Sequence, residues 1–147
     1  MKKDPIGKQV LDAGKSTRKA FEAFYLSVCD EPLKPVAGRV FGYLAHHPEA
    51  SSQDIQREFS LSKATVSECL SLLIARGYIS YEKSEKDGRE KTIKLTEEGY
   101  ALANRHQQIV AQFDECLNQG FTEEELNTLS DLLEKVRKRT EEIAHGE

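Results

Sequence analysis

Residues Leu61 to Thr96 read LSKATVSECLSLLIARGYISYEKSEKDGREKTIKLT, and the reading of this stretch decides the fold. Ser62 has the short hydroxyl side chain of an N-cap, able to accept from the unpaired N–H groups of a first helical turn. Val66, Cys69, Leu70, Leu73 and Ile74 follow at i, i+3, i+4, i+7 and i+8, one apolar face of a helix predicted over 63–76. Gly77 ends it, where a left-handed backbone suits a residue without Cβ. The opposite face carries Lys63, Thr65, Ser67, Glu68 and Ser71, side chains suited to the edges of bases in a groove. Tyr78 to Tyr81 are rich in strand formers, Glu82 to Glu90 form a loop with charge of both signs, and Thr92 to Leu95 return as a second strand. Thr96 then caps a further helix. A polar-faced helix followed at once by a hairpin with a basic tip is the plan of a winged helix-turn-helix.

Toward the N-terminus, Ser51 and Asp54 have the spacing of a capping box for a short helix at about 52–59, with Ile55 and Phe59 turned inward. This helix and the one at 63–76 are the two arms of the helix-turn-helix, the second being the reader. Pro35 suits the first turn of an earlier helix with the face Val36, Val40, Phe41 and Leu44, closed by His46, His47 and Pro48. The first helix is expected over 6–28, where Ile6, Val10, Ala13, Ala20, Phe21, Phe24, Tyr25 and Val28 recur at helical spacing before Pro32. Toward the C-terminus, a long helix over 97–119 has Leu102, His106, Ile109, Val110, Phe113 and Leu117 on one side, with Gly120 as its stop. Thr122 to Glu125 make a capping box. Leu126, Leu129, Leu133, Val136, Thr140 and Ile143 then alternate at spacings of three and four along a helix at 123–144. Such a short a/d seam does not stand alone. It needs a partner, either the first helix of the same chain or a second subunit.

With 38% hydrophobic and 31% charged residues in 147, the chain has a lean core for so much helix, which favours an oligomer. The net charge of −4 is unevenly spread: residues 95–147 hold five basic and twelve acidic side chains, whereas residues 82–94 hold five basic and four acidic. Local charge sets the field at a binding surface. No apolar run approaches the roughly 20 residues that span a bilayer, and the start MKKDPIGKQV lacks the apolar segment of a signal peptide. Cys29, Cys69 and Cys116 are an odd number without CxxC spacing, as expected of free thiols in a reducing cytoplasm. No glycine-rich phosphate loop and no nucleophile–base spacing occurs. Neither an enzyme nor a cofactor is therefore expected.

The segment DGREKTIKLTEEG, Asp87 to Gly99, resembles the wing signature of the MarR family of transcription regulators: D-x-R, an apolar strand, then L-T-x-x-G opening a helix. The resemblance extends over nearly the whole chain, and Pro35 to Leu44, PVAGRVFGYL, also looks like the related GbsR-type branch. It implies a mostly α (α+β) fold, a winged helix-turn-helix with a two-stranded wing and a helical dimerisation layer from both termini. It further implies a ligand-responsive homodimeric repressor of the cytoplasm that binds double-stranded DNA. Residues 1–34 and 97–147 would form the dimerisation helices, with Leu126, Leu129, Leu133 and Val136 at the seam, and residues 35–96 the DNA-binding domain. The reading helix with Ser62, Lys63, Thr65, Ser67, Glu68 and Ser71 would lie in the major groove. The wing at 84–91, with Lys86, Asp87, Arg89 and Lys91, would reach the minor groove, Asp87 bracing Arg89. A small-molecule effector would sit among Phe24, Tyr25, Val28, Arg39, Tyr43 and His46.

Two other readings stand beside this one. The acidic balance and Glu68 also suit a winged-helix module that binds protein. Cys29 and the histidines His46, His47 and His106 raise a metal- or redox-sensing member of the same family. Their spacings lack the pattern of a zinc site, and the acidic neighbours Asp30 and Glu31 disfavour a thiolate at Cys29.

Overall fold

The computed structural model describes residues 3–83 and 91–146. Among these residues six helices and two strands run in the order α1 (Ile6–Val28), α2 (Pro35–His46), α3 (Ser52–Phe59), α4 (Lys63–Ala75), β1 (Ile79–Lys83), β2 (Lys91–Leu95), α5 (Glu97–Asn118) and α6 (Glu123–Ala144). The strands pair antiparallel with Ile79 opposite Leu95 and Lys83 opposite Lys91. The wing tip at 84–90, with Lys86, Asp87 and Arg89, lies outside the described residues, as does the side chain of Lys91.

The core forms where three helices and the ribbon meet. Val40 and Phe41 from α2, Ile55 from α3, and Val66 and Leu73 from α4 are buried completely, with Leu33, Tyr78, Ile79 and Ile93 close behind. Helix α4 packs on α2, α3 and β1. Each such side chain contributes about 1.5–3 kcal/mol on leaving water. The buried arc of α4 is Val66, Cys69, Leu70 and Leu73. Ile74, grouped with them by spacing alone, is 38% exposed. It sits at the margin of the arc, and periodicity does not say where a neighbouring element stops covering it.

The helix ends are closed by side chains. Ser51 and Asp54 complete a capping box on α3, and Thr122 and Glu125 do so on α6. The paired backbone amides hold both carboxyls below their usual range. Between α3 and α4 the backbone turns through Ser60, which has φ 51 and ψ 44, the left-handed region that side chains with a Cβ enter at some cost. The amide of Leu61 then reaches back 3.0 Å to the Gln56 carbonyl and closes the turn. Ser62 caps α4: its Oγ accepts from the Thr65 amide at 3.1 Å and donates to Thr65 Oγ1 at 2.9 Å.

The wing is tied to α5 through the carbonyl of Tyr78. That oxygen accepts from the Thr96 amide at 3.1 Å. Thr96 Oγ1 in turn donates to the Gly77 carbonyl and accepts from the Gly99 amide. Helix α5 comes so close that a Cβ on Gly99 would stand 2.1 Å from the Tyr78 oxygen. The L-T-x-x-G pattern thus has a local physical basis: the threonine caps, and the glycine lets helix and ribbon touch.

The chain divides into two compact units, 1–110 and 111–147. In the second, the remainder of α5 leads through Gly120, with φ +88, into α6. No side chain of α6 is buried, and the seam residues Leu129 and Leu133 are 42% and 51% exposed. Leu132, off the a/d pattern, is exposed as well.

Three substitutions check these local causes. Gly99→Ala forces α5 off the Tyr78 carbonyl and should lower stability by about 1–3 kcal/mol, the usual scale of overpacking, read as a lower urea midpoint. Ser62→Ala should lose about 1 kcal/mol as a missing cap, whereas Ser67→Ala, on the exposed face of the same helix, should stay within about 0.5 kcal/mol of the wild type.

Candidate nucleic-acid interface and the adjacent cavity

Burying one face of α4 leaves the other to solvent. Lys63, Ser67, Glu68 and Ser71 are exposed along it, and Thr65 is half-buried. Ser62 and Thr65 have part of their hydrogen-bonding capacity taken up by the cap. The Thr65 hydroxyl accepts from Ser62 and so keeps its own proton to donate outward. Lys63 stands in the first turn of α4, where its charge adds to the positive end of the helix dipole.

A polar recess of about 320 Å³ lies beside these residues, lined by Ser52, Gln53 and Gln56 of α3 and by Lys63, Val66 and Ser67 of α4. It brings together hydroxyl, amide and ammonium donors at the first turns of two helices, a setting that favours an anionic oxygen. Ser52, Gln53 and Gln56 are absent from the residues singled out by sequence. The signal for them is the polar edge at i, i+1 and i+4 that remains on α3 once Ile55 and Phe59 are assigned to the core.

Behind the helix-turn-helix, between α1, α2, the connector that joins them and the first half of α5, is a larger cavity of about 600 Å³. Its walls are mostly apolar, from Phe21, Leu26, Leu33, Phe41, Ala103 and Val110; Arg18, Lys34, Arg39 and the imidazoles of His46 and His106 also line it, together with one carboxylate, Glu22. Of the six residues expected to surround an effector, Tyr25, Arg39 and His46 stand on its wall, and Phe24, Val28 and Tyr43 do not. Tyr43 stacks on His47 at 4.1 Å and meets Phe59 edge-on at 5.7 Å, so its ring is taken up in packing against α3. Val28 contributes its carbonyl instead, which accepts from Arg105 Nη2 at 2.9 Å. Phe24 is half-buried elsewhere on α1.

The polar centre of the cavity wall is Tyr25. Its hydroxyl oxygen accepts from the Leu33 amide at 3.0 Å and lies 2.9 Å from His106 Nε2. Burial pushes the phenol up to about 12. Burial, reinforced by the Arg105 charge, holds the His106 imidazole below its ordinary value. A neutral ring accepting from the phenol at Nε2 satisfies both groups together with the Leu33 amide. The His106 ring also meets Phe41 edge-on at 5.8 Å. Sequence spacing puts His106 on the inner side of α5, but nothing in the sequence pairs it with Tyr25, 81 positions away.

Of the thiols, Cys69 is buried, which pushes its pKa up, with Glu68 adding to the effect; Cys29 is half-buried and Cys116 exposed. Among the described residues no three His, Cys, Asp or Glu side chains come together as a metal site. No helix among them is long and apolar enough to cross a membrane.

Comparison with known proteins agrees with this fold. Residues 32–90 match the sequence model of the MarR family. Over 115 residues the chain is 25% identical to the HTH-type transcriptional regulator BilQ of Clostridioides difficile, covering 77% of this chain and 78% of that one. A crystal structure of a mutant MarR from E. coli superposes with a TM-score of 0.80 at 19% identity, covering 92% of this chain and 98% of the other. FabT of Streptococcus pneumoniae, solved in complex with DNA, does so with a TM-score of 0.77 at 19% identity, over 94% and 96%. By sequence over its winged helix-turn-helix, and by fold over more than nine-tenths of its length, what this chain resembles is the MarR family.

Proposed function

We propose that this protein is a DNA-binding transcription regulator that works as a homodimer and releases its operator when a small molecule fills the cavity behind α2. The observation that carries the DNA reading is the pairing of α4 with the ribbon. A helix whose inner face is core presents Lys63, Ser67, Glu68 and Ser71 outward, and an antiparallel wing follows it directly. The resemblance to FabT, which has been solved with DNA, supports the same assignment. Helix α4 enters the major groove, and the α3–α4 recess with Ser52, Gln53 and Lys63 takes a backbone phosphate. Arg89, with Asp87 to aim it, enters the minor groove, where a narrow A·T-rich stretch attracts a guanidinium.

The dimer reading rests on the terminal helices. Helix α1 buries no side chain and leaves Ile6, Leu11 and Leu26 exposed, and α6 leaves Leu129, Leu132, Leu133 and Ile143 exposed. Residues 1–34 and 97–147 of two chains would cover these faces, setting the distance between two copies of the 35–96 unit. Half-site spacing then follows from the dimer. The effector reading rests on the cavity: apolar walls on which Arg18, Lys34 and Arg39 outnumber the single carboxylate of Glu22 suit an apolar molecule with an anionic end. Repression is the sign of regulation we assign, because release on ligand binding restores access to the bound duplex.

Anisotropy titrations with a duplex selected from a random library test the DNA reading. Arg89→Ala should weaken binding by about 1–3 kcal/mol and relax preference at the base pairs beneath the wing. Lys63→Ala should weaken selected and random duplex alike and lower the salt slope by about one unit. A folded wild type with no salt-dependent duplex affinity would sink the proposal and favour a protein-binding winged helix instead.

Sedimentation addresses the dimer. The wild type should run as a dimer at concentrations on the order of ten micromolar, and Leu129→Glu with Leu133→Glu should run as monomer and lose duplex binding. A monodisperse wild-type monomer would overturn the assignment.

A further inference from the structure

The connector between α1 and α2, residues 29–34, is held from both sides. On one side it is part of the cavity, whose wall includes Pro32, Leu33 and Lys34. There the Leu33 amide donates to Tyr25 Oη at 3.0 Å, and Tyr25 is fixed in turn by His106 at 2.9 Å. On the other side it is gripped by the two residues that flank Gly77 at the end of α4. Arg76 Nη1 donates to the Pro32 carbonyl at 3.4 Å, and the Tyr78 hydroxyl donates to Glu31 Oε2 at 3.4 Å. Arg76 is the C-cap of α4, and Tyr78 opens the run into β1. Leu33 itself is 2% exposed and belongs to the same core as Leu73 and Tyr78.

We infer that the connector 29–34 is the part that carries the state of the cavity to the end of α4. This deepens the effector reading given above and rests on it. One strip of six residues is at once cavity wall and docking partner of Arg76 and Tyr78, with no further layer between them. A molecule that enters the cavity beside Tyr25 competes for the hydroxyl that holds the Leu33 amide, or pushes on Pro32 and Leu33 directly. Either way the carbonyl and carboxylate that receive Arg76 and Tyr78 shift. Coupling then needs only that closely packed neighbours have a second arrangement available, not a deformation spread through the domain. Tyr25 and His106 are positioning residues in this scheme, and Arg76 and Tyr78 are where the movement is received.

The test is residue-resolved amide hydrogen exchange on the full chain, which needs neither effector nor DNA. In the wild type the amides of Arg76, Gly77 and Tyr78 bond to Leu72, Ile74 and Leu73 carbonyls, so their exchange reports opening at the end of α4. Tyr25→Phe keeps the ring and removes the hydroxyl that accepts from the Leu33 amide and pairs with His106. It should speed exchange at Leu33 by about threefold to tenfold, the factor that corresponds to one ordinary hydrogen bond. It should also speed Arg76, Gly77 and Tyr78 by a smaller factor, leaving Ile55 and the rest of α3 unchanged. In a background with Arg76→Gln and Tyr78→Phe, the same Tyr25→Phe change should alter Leu33 and no longer alter residues 76–78. A rise confined to Leu33 in the wild-type background would overturn the inference. So would no rise at Leu33, or an equal rise throughout α3. Binding of 1-anilinonaphthalene-8-sulfonate, an apolar aromatic anion, is followed by fluorescence on the same samples. Failure of that probe to bind counts against the effector reading, while the exchange pattern decides the connector by itself.

Discussion

The Tyr78 carbonyl is the point on which the winged unit depends. It receives the Thr96 amide, lies against the Cα of Gly99, and belongs to a residue whose ring packs on Phe41 at 6.0 Å. A single peptide unit therefore joins the end of α4, the base of the ribbon and the start of α5. The strands bring only a few residues to the sheet, and an isolated two-stranded hairpin is marginal in water. Its base is anchored because Ile79 and Ile93 are in the core and because Thr96 binds the Gly77 carbonyl just ahead of it. Without that anchorage the ribbon would be a free arm, and the direction in which it leaves α4 would be unspecified.

Stability is distributed unevenly as a result. The buried side chains are concentrated between Leu33 and Ile93, and both terminal helices are amphipathic with no buried residue of their own. Within α6 itself the local supports include the Thr122–Glu125 capping box and the exposed ion pairs of Arg137 with Glu134 and Glu141. Such surface pairs contribute little each, and helices of this kind gain most of their stability from packing an apolar face.

Most of the architecture was legible in the residues themselves. Helix spans were readable because caps and stops carry their own chemistry: Ser51 with Asp54, Ser62, Gly77, Thr96, and Thr122 with Glu125 behave as side-chain type and spacing require. The part of the cavity wall that went unread was three-dimensional. Helical periodicity puts Phe24, Tyr25 and Val28 on one side of α1, but only contact decides which of them meets a cavity, and here it is Tyr25. Tyr43 has the right type and neighbourhood and is drawn instead to His47 and Phe59. Arg18 and Gln107 enter the wall from positions with no motif around them, and Phe21 enters it from the apolar face of α1. Gln53 and Gln56 were hidden for another reason: on a short polar helix they look like ordinary solvated side chains until α4 is laid beside them.

The turn at Ser60 has a consequence for how the chain tolerates change. A serine held at φ 51 stores on the order of 1–3 kcal/mol that glycine would release. The angle between the two arms of the helix-turn-helix is therefore enforced by the packing of Ile55 and Val66 on either side of the turn, not by the intrinsic preference of the residue in it. Local preference and tertiary demand disagree at one position in an otherwise consistent segment, and the tertiary demand wins because the flanking core is complete. A chain built this way is buffered at the bend: substitutions there move along a gradient of strain that the core already absorbs. The same substitution made after weakening Ile55 or Val66 would meet a bend with nothing left to enforce it, so the two kinds of change should be strongly non-additive.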